Sequence, residues 1–167
     1  MKIRFIILLV FAIVFISNHT LAQGPMGRDF GFGLILGDPT GGTIKYWFSS
    51  ENALVVSIGG SYFGSPRINA EYLWHFDAFN SQVVKLYAGI GGVIGFGEGR
   101  GWFRKHDDDD FWYRKEGTGL AIRAIFGLNI IPRRTPLEIF AEAGPLIGVS
   151  PDFGSALDVS VGIRFYP

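Results

Sequence analysis

Leu157-Asp158-Val159-Ser160-Val161-Gly162-Ile163-Arg164-Phe165 alternates without a break. Successive side chains of an extended chain point to opposite faces. Leu157, Val159, Val161, Ile163 and Phe165 therefore share one face, and Asp158, Ser160, Gly162 and Arg164 share the other. A helix would scatter both sets around its circumference, so this stretch is read as a strand.

The same period recurs upstream. Leu120, Ile122, Ala124, Phe126, Leu128 and Ile130 oppose Arg123, Gly127 and Asn129. Ile68, Ala70, Tyr72, Trp74 and Phe76 oppose Asn69, Glu71, His75 and Asp77, while Leu137, Ile139, Ala141 and Ala143 oppose Glu138, Glu142 and Gly144. Leu54, Val56 and Ile58 oppose Ser57 and Gly59. With turn signals such as Asp38-Pro39-Thr40-Gly41, Gly64-Ser65-Pro66 and Asn80-Ser81-Gln82 as boundaries, the pattern predicts eight strands. Their spans are 29–37, 42–49, 53–63, 67–77, 83–97, 117–131, 136–148 and 155–166. Pro145 falls inside a strand, where its missing N–H predicts a local irregularity.

One continuously apolar face fits two objects. A soluble lipocalin-like barrel turns that face inward around an apolar ligand, whereas a membrane barrel turns it outward to lipid. The polar face favours the second. It is rich in small residues (Ser57, Gly59, Gly89, Gly91, Gly127, Gly144, Ser160, Gly162), as the narrow interior of an eight-stranded barrel requires. Its charges nearly balance: Glu71, Asp77, Glu138, Glu142 and Asp158 against Lys45, Lys85, Arg123 and Arg164, with His75 among them. Unpaired buried charge is costly, so a closed interior should balance its signs. Eight strands leave room for side chains alone, which argues against a diffusion pore.

The start of the chain reads as an export signal. Lys2 and Arg4 precede an apolar run from Phe5 to Ile16, followed by Ser17 to His19 and Thr20-Leu21-Ala22. This is the three-part layout of a secretory signal peptide, and the run is too short to span a bilayer as a helix. Cleavage after Ala22 is expected, giving a signal over 1–22 and a barrel domain over 23–167. The one long connection, Glu98 to Glu116, follows the fifth strand and so lands outside the cell if the barrel begins in the periplasm. Short turns are expected on the periplasmic side. Aromatics should form two girdles: Phe48, Trp74, Phe76, Phe165 and Tyr166 at the periplasmic rim, and Tyr62, Phe96, Trp102, Phe111, Trp112 and Tyr113 towards the outer one.

Composition excludes several functions. The 167 residues carry 15 Lys+Arg and 15 Asp+Glu, so nothing marks a nucleic-acid surface. There is no cysteine, hence no disulfide, thiolate metal site or thiol nucleophile. No catalytic residue is assigned. His19 leaves with the signal, His75 lies near the periplasmic end of its strand, and His106 sits at the tip of the long loop, none of them placed to activate a serine at the outer rim. The run Asp107-Asp108-Asp109-Asp110 lacks the spacing and glycine of a calcium loop, so no metal or other cofactor is expected. Its flanks, Trp102-Phe103-Arg104-Lys105 and Phe111-Trp112-Tyr113-Arg114-Lys115, suit a lipid interface.

The chain resembles the small eight-stranded outer-membrane barrel proteins of Gram-negative and related didermic bacteria. The resemblance rests on Gly31-Phe32-Gly33-Leu34-Ile35-Leu36-Gly37-Asp38-Pro39-Thr40-Gly41 with the following Lys45-Tyr46-Trp47, and on Ala70-Glu71-Tyr72-Leu73-Trp74-His75. The ending Ile163-Arg164-Phe165-Tyr166-Pro167 is similar to the signal read by the barrel-assembly machinery. The expectation is an all-β, up-and-down antiparallel transmembrane barrel in the outer membrane. It is monomeric and non-enzymatic, with a structural or surface-interaction role. Its expected partners are the lipid bilayer, outer-leaflet lipid or lipopolysaccharide, and the assembly machinery. The alternatives are a periplasmic lipocalin-like binder and an outer-membrane lipid-modifying enzyme.

Overall fold

The alternation is realised as strands throughout. The computed structural model describes residues 25–77, 79, 81, 83–100, 113–114, 117–151 and 153–167. The expected signal, His106 and the Asp107–Asp110 run lie outside the described residues. The strands are β1 (Phe30–Gly37), β2 (Thr40–Trp47), β3 (Asn52–Ser61), β4 (Gly64–Asp77), β5 (Val84–Phe96), β6 (Gly99–Arg100), β7 (Tyr113–Arg114), β8 (Thr118–Ile130), β9 (Leu137–Ser150) and β10 (Gly154–Phe165). Eight of them close an antiparallel barrel in the order β1-β10-β9-β8-β5-β4-β3-β2, and β6 pairs with β7. Closure leaves no sheet edge in the wall, which is what a strand-only fold needs to satisfy its backbone.

The rim that carries the start of β1 and the end of β10 is called the lower rim here, and the opposite one the upper. The β6–β7 pair extends the β5–β8 hairpin beyond the upper rim, and Gly97 N donates to Gly117 O at 2.9 Å between them. The long connection therefore begins as paired strand rather than as free loop. The shortest turns, Asp38–Pro39 and Tyr62–Phe63, are also at the upper rim, whereas short turns were expected below. Two strands start two or three residues earlier than the turn signals implied. Thr40 begins β2, with its Oγ1 donating to Gly37 O and accepting from Gly37 N, so the side chain does the work of a longer turn. Ser65-Pro66 lies at the start of β4, where a proline is tolerated.

Pro145 does disturb its neighbourhood. The β8–β9 ladder pairs Arg123 with Leu146 and resumes at Phe126 with Ala143, with no pair between them but no change of register. Gly144 sits in this interval, and a Cβ there would lie 1.9 Å from the Ala124 carbonyl oxygen, so the two backbones approach more closely than any side chain allows. The register shifts fall elsewhere, at Gly59/Ser61 and Leu120/Ala121, both towards the upper rim.

The two faces segregate as a membrane-type barrel. Outside are Leu34, Leu36, Ile44, Ile58, Ile90, Ile122, Phe126, Leu157, Val159, Val161 and Ile163, all exposed. Inside are Lys45, Arg67, Asn69, Glu71, Arg123, Asn129, Glu138, Glu142, Asp158, Ser160 and Arg164, all buried. An interior of this kind does not match the apolar cavity that the lipocalin-like alternative needs. Around the lower rim the exterior rings touch in series: Phe32 with Phe165 at 6.0 Å, Tyr46 with Phe48 at 5.2 Å, Phe48 with Tyr72 at 6.2 Å, and Tyr72 with Trp74 at 5.0 Å. Tyr166 and Tyr62, expected in the girdles, instead turn their hydroxyls to buried carboxylates. A phenol that can reach a buried carboxylate satisfies both groups, and that outweighs a place in lipid. Trp102, Phe111 and Trp112 lie outside the described residues.

Candidate functional site

The interior holds four buried bases, Lys45, Arg67, Arg123 and Arg164, and four buried acids, Glu71, Glu138, Glu142 and Asp158, among the described residues. The balance expected from the sequence is met with a changed membership. Arg67 joins from the upper part of β4. Asp77 and Lys85 leave, because they are the last and second residues of β4 and β5 and reach the lower rim instead. Asp77 is 82% exposed, and its 3.5 Å pair with Lys85 lies in solvent.

Arg123 is the hub. Its rung runs Glu71, Gly91, Arg123 across β4, β5 and β8. Gly91 has no side chain, so the guanidinium reaches across it, and Nη1 donates to Glu71 Oε1 at 2.5 Å. The same nitrogen donates to Glu142 Oε1 at 3.1 Å. Nε lies 2.8 Å from Asp158 Oδ2, an ion-pair contact whose angle falls outside hydrogen-bond geometry. Arg67 Nη2 meets the same Asp158 oxygen from the other side, and Arg67 Nε donates to Asn69 Oδ1 at 2.8 Å.

A second cluster lies nearer the lower rim. Arg164 faces Glu138 directly across β10 and β9, and Nη1 donates to Glu138 Oε1 at 3.1 Å. Lys45 Nζ reaches that oxygen from the far wall at 2.8 Å, and Asn129 Nδ2 reaches it at 3.2 Å. Tyr166 donates to the other oxygen, Oε2, while its hydroxyl accepts from Trp47 Nε1 at 3.0 Å. His75 lies between Lys45 Nζ, 3.0 Å from Nε2, and the Glu51 carbonyl oxygen, 3.1 Å from Nδ1. Only the tautomer with the proton on Nδ1 lets Nε2 accept from the ammonium while Nδ1 donates to the carbonyl.

The small residues of the inner face make room for these reaches. Tyr87 lies over Gly127, where a Cβ would come 2.4 Å from the ring Cζ, and its hydroxyl donates to Glu142 Oε2 at 2.8 Å. Phe140 covers Gly162, and the Arg164 guanidinium stacks 3.8 Å above the Phe140 ring. Large side chains opposite glycines are how a narrow barrel fills itself.

Apolar side chains pack among and around the charges. Trp47, Ala53, Val55, Leu73, Tyr87, Ile125 and Tyr166 form an apolar cluster in the lower half. Phe63, Val93, Ala121 and Leu146 form another in the upper half, with Tyr62 and Ala156 packed against it. Tyr62 donates to Asp158 Oδ1. Burial, reinforced by that carboxylate, pushes the Tyr62 phenol above its ordinary range and keeps it a donor. These inward apolar residues were not singled out in the sequence. Their signal was present: Leu73, Tyr87, Ile125, Phe140 and Leu146 interrupt the polar phase of otherwise alternating strands. Among the described residues no group of His, Asp and Glu has the geometry of a metal site. The lumen hydroxyls of Ser57 and Ser160 donate to Thr43 Oγ1 and Glu142 Oε1, away from His75.

Among solved structures, the chain is similar to the N-terminal β-barrel domain of Pseudomonas aeruginosa OprF, with a TM-score of 0.51 and 17% sequence identity over 83% of this chain and 94% of that one. At that identity the likeness is one of fold. No family model and no curated protein matches the chain.

Proposed function

We propose that this chain is an integral outer-membrane barrel with a packed lumen, non-enzymatic, serving a structural or surface-interaction role. The observation that carries the reading is the polarity: a continuous apolar exterior around a neutral, internally paired set of eight buried charges. Water would penalise that exterior, and hydrocarbon would penalise any other arrangement of the charges. The lower rim faces the periplasm, where its aromatic belt meets the inner leaflet, and the β6–β7 hairpin projects outside. The interlocked lumen, filled by paired charges and two buried apolar clusters, supports a role in which the barrel displays a surface rather than conducts solutes.

The test is fractionation with heat-modifiable migration. The protein should be extracted by detergent from the outer-membrane fraction and shift its electrophoretic mobility only after boiling. Recovery as a water-soluble periplasmic pool would overturn the reading. Protease added to intact cells should cut near Arg104 or Lys115, and cleavage only after permeabilisation would reverse the topology.

A further inference from the structure

The β8–β9 turn, Pro132-Arg133-Arg134-Thr135-Pro136, places two adjacent, exposed arginines on the lower rim. Its last residue is fixed to the end of the chain, with Tyr166 N donating to Pro136 O at 2.8 Å. Arg28 Nη1 donates to Tyr166 O at 2.6 Å, so the first described residues and the last are tied at the same place. Directly above, on the outer face of β1, β10 and β9, lies an apolar groove of about 290 Å³ lined by Phe32, Gly33, Leu34, Leu137, Ile163 and Phe165. Phe32, Phe165 and Leu137 form one rung across the three strands, and Leu34 and Ile163 belong to the next.

We propose that groove and turn together bind one anionic glycerophospholipid. An acyl chain lies along the groove, and its phosphate meets Arg134, with Arg133 beside it. The inference rests on the membrane reading above and goes beyond it by fixing a lipid class and a place. The volume suits one chain, since pockets that enclose whole ligands start at about 300 Å³ and run to ~1,000 Å³. Charge complementarity supplies the second half. Arg134 stands three residues before Leu137, no more than about 11 Å of extended chain, so a guanidinium at the turn can meet a headgroup whose chain enters beside Leu137. A guanidinium matches phosphate through paired N–H donors.

Native mass spectrometry of the purified full-length barrel, released from micelles with equal phosphatidylglycerol and phosphatidylcholine, tests this. The parent should retain one phosphatidylglycerol in preference to phosphatidylcholine. Arg134→Gln should lower phosphatidylglycerol retention about fivefold, the effect of one basic residue at an anionic interface, and leave phosphatidylcholine unchanged. Leu34→Trp, which fills the groove from the outer face, should lower retention of both lipids. Equal retention of the two lipids by the parent, or no change in either variant, overturns the site. A barrel that still needs detergent while showing no preference overturns the site alone, whereas a barrel soluble without detergent overturns the membrane reading with it.

Discussion

Arg123→Met should be the most damaging single change in the lumen, and the structure says by how much. Arg123 faces three carboxylates: Glu71 at 2.5 Å, Glu142 at 3.1 Å and Asp158 at 2.8 Å. Glu142 keeps Tyr87 and Ser160 as donors, and Asp158 keeps Arg67 and Tyr62. Glu71 has no other ion-pair partner among the described residues. Leaving one buried charge uncompensated costs about 3–5 kcal/mol. With two further carboxylates weakened, the loss should sit at the upper end, near 5 kcal/mol. Arg164→Met is the contrast. Glu138 would still hold Lys45, Asn129 and Tyr166, so no charge is left unpaired and the loss is the hydrogen bond to Glu138, the donation to Thr43 Oγ1 and the stacking on Phe140, about 2 kcal/mol. The gap of about 3 kcal/mol should separate the urea midpoints of the refolded barrels by roughly 1–3 M. Adding Glu71→Gln to Arg123→Met restores equal numbers of lumen charges and should recover about 2–3 kcal/mol, a coupling that a double-mutant cycle reads. Equal midpoints for the two arginine variants, or simple additivity of Arg123→Met with Glu71→Gln, would refute the hub.

Phe126→Arg or Val161→Arg, on the exposed outer face, should impair folding into lipid vesicles by ~2–4 kcal/mol, while Thr135→Arg in the exposed turn should be neutral; equal folding yields would remove the lipid-facing assignment. Gly127→Val should cost about 1–3 kcal/mol in a urea titration, because the Tyr87 ring above it is held by Glu142 and cannot retreat; an unchanged midpoint would mean that the ring is free. Tyr166→Phe should cost about 1–3 kcal/mol by the same measurement, since Trp47 Nε1 and Glu138 Oε2 both lose their partner, and a neutral result would break the lower cluster apart.

The barrel was legible because its wall is local. A period of two fixes which side chains share a face, and every exterior residue read from 120–130 and 157–165 lies outside in the folded barrel. The pairs Arg164 with Glu138 and Arg123 with Glu142 could be anticipated, because their strands follow one another in the chain and must lie side by side. Ser160, which alternation places on the inner face as a small residue, is buried and donates to Glu142.

What the sequence could not decide was depth along the barrel axis and what meets across the lumen. Asp77 and Arg67 are both odd-numbered residues of β4 and share its inner phase, yet one ends in solvent at the rim and the other at Asp158. Lys45 on β2 finds Glu138 on β9, and Tyr62 from the β3–β4 turn finds Asp158 on β10. These partners are 93 and 96 residues apart. Alternation alone assigned each residue a face. Strand tilt and closure of the eight-stranded wall then set its height and the residue opposite, because only a closed cylinder brings non-neighbouring strands within reach of a side chain.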